Sequence, residues 1–338
     1  MHPRMERRRE EEDPRRRSAK GRGGDDEEDQ DPRKLKEKRK SEKISSDNDS
    51  SSDMVKMGNG FALYKGLHDE LYEHQKTGIL FLWKLHSSKS GGILADNMGK
   101  KIQIIGFLDG LFRMEKTKSV LIVMPLDRIT HWKEKFQDLA PQLNIETYGT
   151  KQARILHGSW TKTKQEALRA VQRKNGILIT SYRTVQTSWK ELSANSDNRQ
   201  FIWDYIILDE GHKIKNHTNK TAKALREIQT RKSVILTGIA PNFDREMWMW
   251  AFFDFTHKGL LGTQETFTNK YVKPILRARG KKASVSEKQL GKKMEKRLRK
   301  LIQPSLLTQP SLLRRTEDDI EMLRQDDGEE RRGSLSVL

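Results

Sequence analysis

The stretch Tyr205-Ile-Ile-Leu-Asp-Glu-Gly-His212 says the most about the fold of this chain. Its apolar run predicts a buried strand, and two adjacent carboxylates and a histidine follow directly where that strand ends. In nucleotide-hydrolysing motors such a strand places an Asp on the magnesium shell and a Glu beside the attacking water. Taken alone, the stretch fits a buried strand that ends in a polar turn just as well. A second motif is needed to distinguish between the two interpretations.

That second motif lies upstream, in the strand-loop-helix unit Gly91-Gly-Ile-Leu-Ala-Asp-Asn-Met-Gly-Lys-Lys-Ile-Gln103. A phosphate-binding loop needs glycines that turn backbone N–H groups inward, a lysine for the β- and γ-phosphates, and a following hydroxyl for Mg²⁺. Here Gly99, Lys100 and Lys101 supply one glycine where two are expected, and no hydroxyl follows the lysine. The unit therefore indicates an altered nucleotide site.

Between residues 61 and about 316, short apolar runs alternate with segments of helical periodicity. The predicted strands are 92–95, 120–124, 177–180, 205–208 and 234–236. The predicted helices are 71–85, 102–114, 131–139, 164–173, 221–228 and 245–255. This alternation predicts an α/β lobe whose parallel sheet is covered on both faces. Ligands bind such sheets at the carboxyl ends of the strands, where 96–100 and 209–212 both fall.

Composition excludes several classes of protein. The chain has 338 residues, a net charge of +19 and no cysteine, so disulfides and cysteine-based zinc sites are excluded. No apolar run approaches the roughly 20 residues that a membrane span needs. The charged N-terminus has no apolar core and is not a secretory signal. We therefore expect no membrane association.

The ends of the chain differ from its centre. Residues 1–50 hold 16 basic and 15 acidic side chains, and the segment 1–60 has few apolar residues. Such a segment cannot bury enough surface to offset its ordering entropy, so we predict a disordered charged arm, a possible contact for protein partners. Its basic cluster within 33–40 fits nuclear import. We expect 317–338 to be a polar tail. No second set of alternating strands and helices follows, so we expect no second lobe.

A strongly basic segment spans residues 270–300. It contains 13 Lys or Arg against only Glu287 and Glu295. This imbalance favours a polyanionic partner, most simply nucleic acid, over the alternative of a solvated surface that aids solubility. The lysines chosen as candidate DNA contacts are Lys281, Lys282, Lys292 and Lys293.

The order of the motifs resembles the Swi/Snf-type DNA-dependent ATPases, in the excision-repair branch that includes the Cockayne syndrome B protein and PICH. The resemblance runs from about residue 67 to residue 319. The matching segments are 71–75, 91–96, 123–125, 179–182, 209–216, 248–255, 261–263 and 312–316. It implies a RecA-like lobe, the first half of an ATP-driven DNA translocase of the nucleus that acts in repair or chromatin remodelling. The implied ligands are ATP and Mg²⁺, and the implied partner is double-stranded DNA or chromatin.

The resemblance also implies roles for individual residues. Gln75 would read adenine, Lys100 would neutralise phosphate charge, Asp209 would hold Mg²⁺ and Glu210 would orient the attacking water. The other nucleotide-binding positions that it implies are Asp96, Met98, Gly99 and Lys101.

The departures from the family pattern concentrate in the catalytic motifs. The loop is two residues shorter than the family's, Lys101 replaces its magnesium-binding threonine, and 237–243 differs from its third motif. These changes predict a lobe that hydrolyses little ATP. Three interpretations stay open, namely part of a DNA translocase, a non-catalytic DNA- or chromatin-binding module that kept the fold, and a decaying gene copy with no selected activity.

Overall fold

The computed structural model describes residues 53–149, 160–238, 246–302, 312–316 and 318–323. Nine strands lie in these ranges. The first two form a hairpin, and the other seven form one sheet. In chain order they are β1 (Met54–Gly58), β2 (Phe61–Tyr64), β3 (Gly92–Leu94), β4 (Ser119–Met124), β5 (Ile145–Tyr148), β6 (Gly176–Ser181), β7 (Trp203–Leu208), β8 (Thr230–Leu236) and β9 (Leu312–Leu313).

The seven-stranded sheet has the order β5-β6-β4-β7-β8-β3-β9, and all its neighbouring strands run parallel. The strand β7, which ends at Leu208, therefore lies near the centre and pairs with β4 on one side and β8 on the other. The predicted parallel α/β sheet is confirmed. Because β3 and β7 are separated only by β8, the loops after them open at the same edge.

Helices connect the strands and cover the sheet. They are α1 (Lys65–Glu70), α2 (Glu73–Ser87), α3 (Lys100–Arg113), α4 (Ile129–Leu139), α5 (Trp160–Lys174), α6 (Tyr182–Leu192), α7 (Lys220–Glu227), α8 (Glu246–Thr256), α9 (Gln264–Phe267), α10 (Lys273–Ala278) and α11 (Val285–Ile302). Each of the six predicted helices corresponds to one of these, with ends shifted by no more than a few residues.

Two apolar cores form because every residue of β4 and β6 is buried and successive side chains point to opposite faces of the sheet. Phe107 and Trp132 belong to one core, while Trp203 and Phe252 belong to the other. The sheet is therefore covered on both faces, as the continuous apolar runs predicted.

Four strands, β1, β2, β5 and β9, were missed by the sequence analysis. The strand β1 lies inside the segment 1–60 that was predicted to be a disordered arm, and it pairs antiparallel with β2 across Asn59-Gly60. Both turn residues have positive φ, 51° and 80°, and Asn-Gly is a strong hairpin signal. The other two, β5 and β9, lie at the sheet edges, where short strands are only partly buried and give a weak apolar pattern.

The structure also differs from the polar tail that was predicted over 317–338. Residues 318–323 are helical, with Ile320 buried, although they fall in the segment predicted as a polar tail. Residues 1–52 of the expected arm and 324–338 of the expected tail lie outside the described residues. No helix in the described ranges is long and apolar enough to cross a membrane.

Candidate nucleotide site

The loop after β3 turns into α3 at Gly99, whose φ of 82° is left-handed and suits glycine. The first turn of α3 follows directly, so backbone N–H groups of a helix N-terminus lie at the end of the loop, an arrangement that favours anions. One N–H of the loop is already used, because Asn97 donates to the backbone carbonyl of Arg315 at 3.2 Å. The loop therefore has the shape of a phosphate-binding loop, but fewer of its backbone N–H groups are available to bind a phosphate.

The carboxylate of Asp96 faces the protein interior. It is fully buried, and it accepts hydrogen bonds from Gln103 Nε2 at 3.1 Å and from the guanidinium of Arg315, whose Nε lies 3.2 Å away. A nucleotide contact by Asp96 would therefore have to come from its backbone. Met98, by contrast, is 42% exposed on the loop. The nucleotide-binding roles of both residues stay predictions.

The two loop lysines point to different places. Lys100 Nζ donates to the backbone carbonyls of Asp96 and Asn97, so these contacts must break before Lys100 can reach a phosphate. Lys101 Nζ lies 5.6 Å from the centre of the Trp132 ring. Burial lowers the pKa of both lysines, and nearby carboxylates, Asp209 among them, partly oppose that effect.

Gln75 is buried in the first turn of α2, where its Oε1 accepts the backbone N–H of Tyr72 at 3.0 Å and closes a capping box. A Cβ placed on Gly99 would lie 3.3 Å from Gln75 Nε2, so the glutamine lies directly against the loop. This position agrees with a residue that borders a bound nucleotide. Adenine recognition by Gln75 stays a prediction.

The carboxylate of Asp209 is held from two sides. Its Oδ2 accepts the indole N–H of Trp132 at 2.8 Å, and its Oδ1 accepts the backbone N–H of Glu210 at 3.0 Å. Its own backbone carbonyl accepts the Tyr182 hydroxyl at 2.8 Å. These bonds lock Asp209 at the end of β7, nearly buried, whereas Glu210 follows it in a left-handed conformation with a φ of 54°.

Glu210 forms an ion pair with Arg128 and lies near His212, whose Nδ1 makes no hydrogen bond to it. Arg128, from the 3₁₀ turn after β4, places its Nη2 2.7 Å from Glu210 Oε1, and its Nη1 lies 4.0 Å from Asp209 Oδ2. His212 Nδ1 lies 3.3 Å from Glu210 Oε2, and burial lowers the pKa of this histidine. The predicted water-orienting carboxylate therefore forms an ion pair in this arrangement.

These residues do not fit Mg²⁺. The ion prefers six oxygens in octahedral geometry, usually including one or two carboxylates. Here Arg128 pairs with Glu210, both Lys100 and Lys101 interact with the charge of Asp209, and lysine stands where a hydroxyl ligand is needed. Within the described ranges, no group of three or more His, Cys, Asp or Glu side chains could hold a metal ion. The charges of the site therefore favour a bound anion over Mg²⁺.

The predicted basic segment forms α10, a short loop and α11. Gly291, Met294, Leu298 and Ile302 are buried on one side of α11, and a Cβ on Gly291 would lie 2.2 Å from Ala278 Cβ, so the two helices pack closely. The opposite side is exposed and cationic. The four chosen lysines, Lys281, Lys282, Lys292 and Lys293, are all exposed, and their role as DNA contacts stays a prediction.

Sequence reasoning missed several residues that build the site. Arg128 and Tyr182 lie next to or within segments that match the family, but their contacts with 209–210 depend on strand order. Trp132 packs in the core, and its indole N–H also orients Asp209. Of the altered third motif, 237–243, only Thr237 and Gly238 are described, so its loop lies outside the described residues.

Comparisons with known proteins agree with this architecture. The SNF2-related domain family matches residues 74–326. The DNA excision repair protein ERCC-6-like of Danio rerio is 41% identical over 266 residues, covering 78% of this chain and 17% of the relative. The Homo sapiens protein of the same name is 38% identical over 276 residues, covering 80% of this chain and 21% of that protein. Protein CHROMATIN REMODELING 24 of Arabidopsis thaliana is 37% identical over 246 residues, covering 70% and 22%.

This chain therefore spans about a fifth of the length of these relatives. Among solved structures, the Sulfolobus solfataricus SWI2/SNF2 ATPase core in complex with dsDNA is similar with a TM-score of 0.56. It is 24% identical, and the match covers 75% of this chain and 46% of that one. The structural likeness supports the fold. The family match over most of the chain, with the parallel sheet and its two strand-end motifs, shows that the chain belongs to the SNF2-related domain family.

Proposed function

We propose that this chain is a first SNF2 motor lobe that binds duplex DNA and hydrolyses little or no ATP by itself. The observation that carries the proposal is the state of the phosphate loop. Lys100 donates to carbonyls of its own loop, Asn97 gives its N–H to Arg315, and Lys101 stands where a hydroxyl is needed. Family membership makes ATP the nucleotide that this site would take.

In the resembling motors the second lobe supplies an arginine finger, and loss of such a finger costs on the order of 10³–10⁵ in rate. The relatives are several times longer than this chain. We propose that translocation along DNA, as in repair or chromatin remodelling, requires a second lobe.

DNA binding is supported by charge and by a structural neighbour. The exposed side of α10 and α11 is dense in lysine and arginine, which suits a phosphate backbone. The Sulfolobus neighbour was solved in complex with dsDNA. We propose double-stranded DNA or chromatin as the partner, the nucleus as the location, and further protein contacts through the charged N-terminal arm. A non-catalytic DNA- or chromatin-binding module is the alternative that the altered loop favours.

Phosphate release tests the loss of hydrolysis. The chain and Glu210→Gln are compared with and without duplex DNA, and we expect both to release phosphate at the same low rate. A release rate that DNA raises many-fold and that Glu210→Gln abolishes would show an active motor and overturn the proposal.

A further inference from the structure

Arg128 approaches both carboxylates at the end of β7. Its guanidinium lies 2.7 Å from Glu210 Oε1 and 4.0 Å from Asp209 Oδ2. A planar guanidinium with several N–H donors matches such oxygens well. The arginine reaches this place because β4 and β7 are neighbours in the sheet, so the turn after β4 lies beside the turn after β7.

The surroundings already favour a positive charge over a metal ion. Trp132 donates to Asp209 Oδ2 at 2.8 Å, and Lys101 Nζ lies 5.6 Å from the same indole ring. Lys100 and Lys101 also lie close enough to Asp209 to interact with its charge. A divalent ion that entered here would have to displace Arg128 and approach two lysines, and like charges at such distances repel.

We propose that Arg128 takes the place of a divalent cation at Asp209 and Glu210. It closes the carboxylate pair to metal ions and keeps the Glu210 carboxylate in an ion pair. This pairing would contribute to the proposed loss of hydrolysis, and it depends on the proposed function only for the location of the nucleotide site. The contrasting interpretation is an ordinary surface ion pair, because the Arg128 side chain is 44% exposed and exposed pairs contribute little.

Luminescence of Tb³⁺ tests the proposal without nucleotide or DNA. The ion prefers carboxylate oxygens as Mg²⁺ and Ca²⁺ do, and an excited indole transfers energy to it only at short range. Trp132, bonded to Asp209, is the reporter. We expect the parent chain to show no saturable Tb³⁺ signal from Trp132. Arg128→Leu should gain one, with an affinity for Tb³⁺ at least about tenfold higher because one repelling charge is gone.

Three further variants make the result specific. Asp209→Asn and Trp132→Phe, each added to Arg128→Leu, should abolish the new signal, the first by removing a ligand and the second by removing the reporter. Arg226→Leu is the matched control, since Arg226 Nε bonds Asp254 Oδ2 at 2.9 Å beside Trp250 and, among the described residues, pairs with this one carboxylate. It should gain no signal.

Circular dichroism and the urea midpoint of each variant show that it is folded. A parent chain that binds Tb³⁺ beside Trp132 as tightly as Arg128→Leu would overturn the proposal. So would an Arg128→Leu variant that gains no site while keeping its fold. Neither outcome depends on ATP hydrolysis or on DNA, so failure here is separate from failure of the proposed function.

Discussion

Arg315 donates hydrogen bonds to the fully buried carboxylate of Asp96, 219 residues earlier in the chain. The contact exists because β9 adds to the sheet beside β3, placing the segment after β9 against the loop after β3. The same segment takes the N–H of Asn97 through the backbone carbonyl of Arg315. The segment after β9 therefore fixes the conformation of the loop after β3.

Removing one partner of this pair should destabilise the lobe strongly. Arg315→Met leaves a buried carboxylate uncompensated, which costs about 3–5 kcal/mol, and urea unfolding followed by circular dichroism measures the loss. The exposed neighbour Arg314 provides the control, and Arg314→Met should change stability by less than about 0.5 kcal/mol. The double variant Asp96→Leu with Arg315→Met should recover part of the loss. Equal midpoints for the two arginine variants would contradict the structural role.

Binding of duplex DNA should depend steeply on salt and little on sequence. Each neutralised phosphate contributes a slope of about −0.9 to the plot of log affinity against log salt. Changing the four lysines Lys281, Lys282, Lys292 and Lys293 to Glu should reduce both the affinity and the slope for every duplex tested by fluorescence anisotropy.

A matched control separates local contacts from net charge. The lysines Lys56, Lys116, Lys118 and Lys174 are also exposed and lie outside the basic segment. Changing these four to Glu alters the net charge equally, so it should weaken binding much less. If the two fourfold variants bind DNA with the same affinity, the α10–α11 surface contributes only through the net positive charge of the protein.

Millimolar Mg-ATP should raise the melting temperature by about one degree or less. A ligand at a hundredfold excess over its Kd stabilises a fold by about 2.7 kcal/mol, but the altered loop cannot hold the phosphates tightly. Differential scanning fluorimetry measures the shift. Lys100→Ala is the control, because a shift of several degrees that vanishes in this variant would mean that the loop still binds nucleotide.

Folding stability should fall with acid through His86. Burial, followed by the charges of Lys232 and Lys116, lowers the pKa of His86 to about 4, and its Nδ1 lies 2.8 Å from the Tyr205 hydroxyl. Because the folded pKa is below the unfolded one, the unfolded chain binds more protons between about pH 6.5 and pH 4. The stability that neutral His86 contributes is present above pH 6.5 and is lost as the pH falls towards 4.

Urea unfolding at several pH values checks this dependence. The difference in stability between the parent chain and His86→Gln should shrink by about 2 kcal/mol from pH 7 to pH 4.5. The same measurement on His131→Gln, at an exposed histidine, serves as the control for the substitution itself. A His86→Gln difference that does not change with pH would show that the histidine titrates normally.

The elements of the fold could be predicted because they depend on local pattern. Apolar runs such as 120–124 and 205–208 have few ways to leave water other than as buried parallel strands. Since the chemistry of parallel sheets lies at the ends of strands, the loops at 96–101 and 209–212 could be placed at one edge before any contact was known. The sequence by itself determined the five inner strands of the sheet, its two-sided core and the edge at which the candidate nucleotide site lies.

The contacts inside the site were decided only by the tertiary structure. Three contacts show this: Arg128 pairs with Glu210, Trp132 bonds Asp209, and Asp96 is buried against Arg315. The partners in these contacts are between 77 and 219 residues apart in the sequence and meet across neighbouring strands. A local pattern records which side of a strand is apolar, but it does not record which strand lies next to it. Strand order brings these charges within a few ångströms of each other, where the Coulomb interaction is strong enough to decide whether a carboxylate faces a metal ion or an arginine.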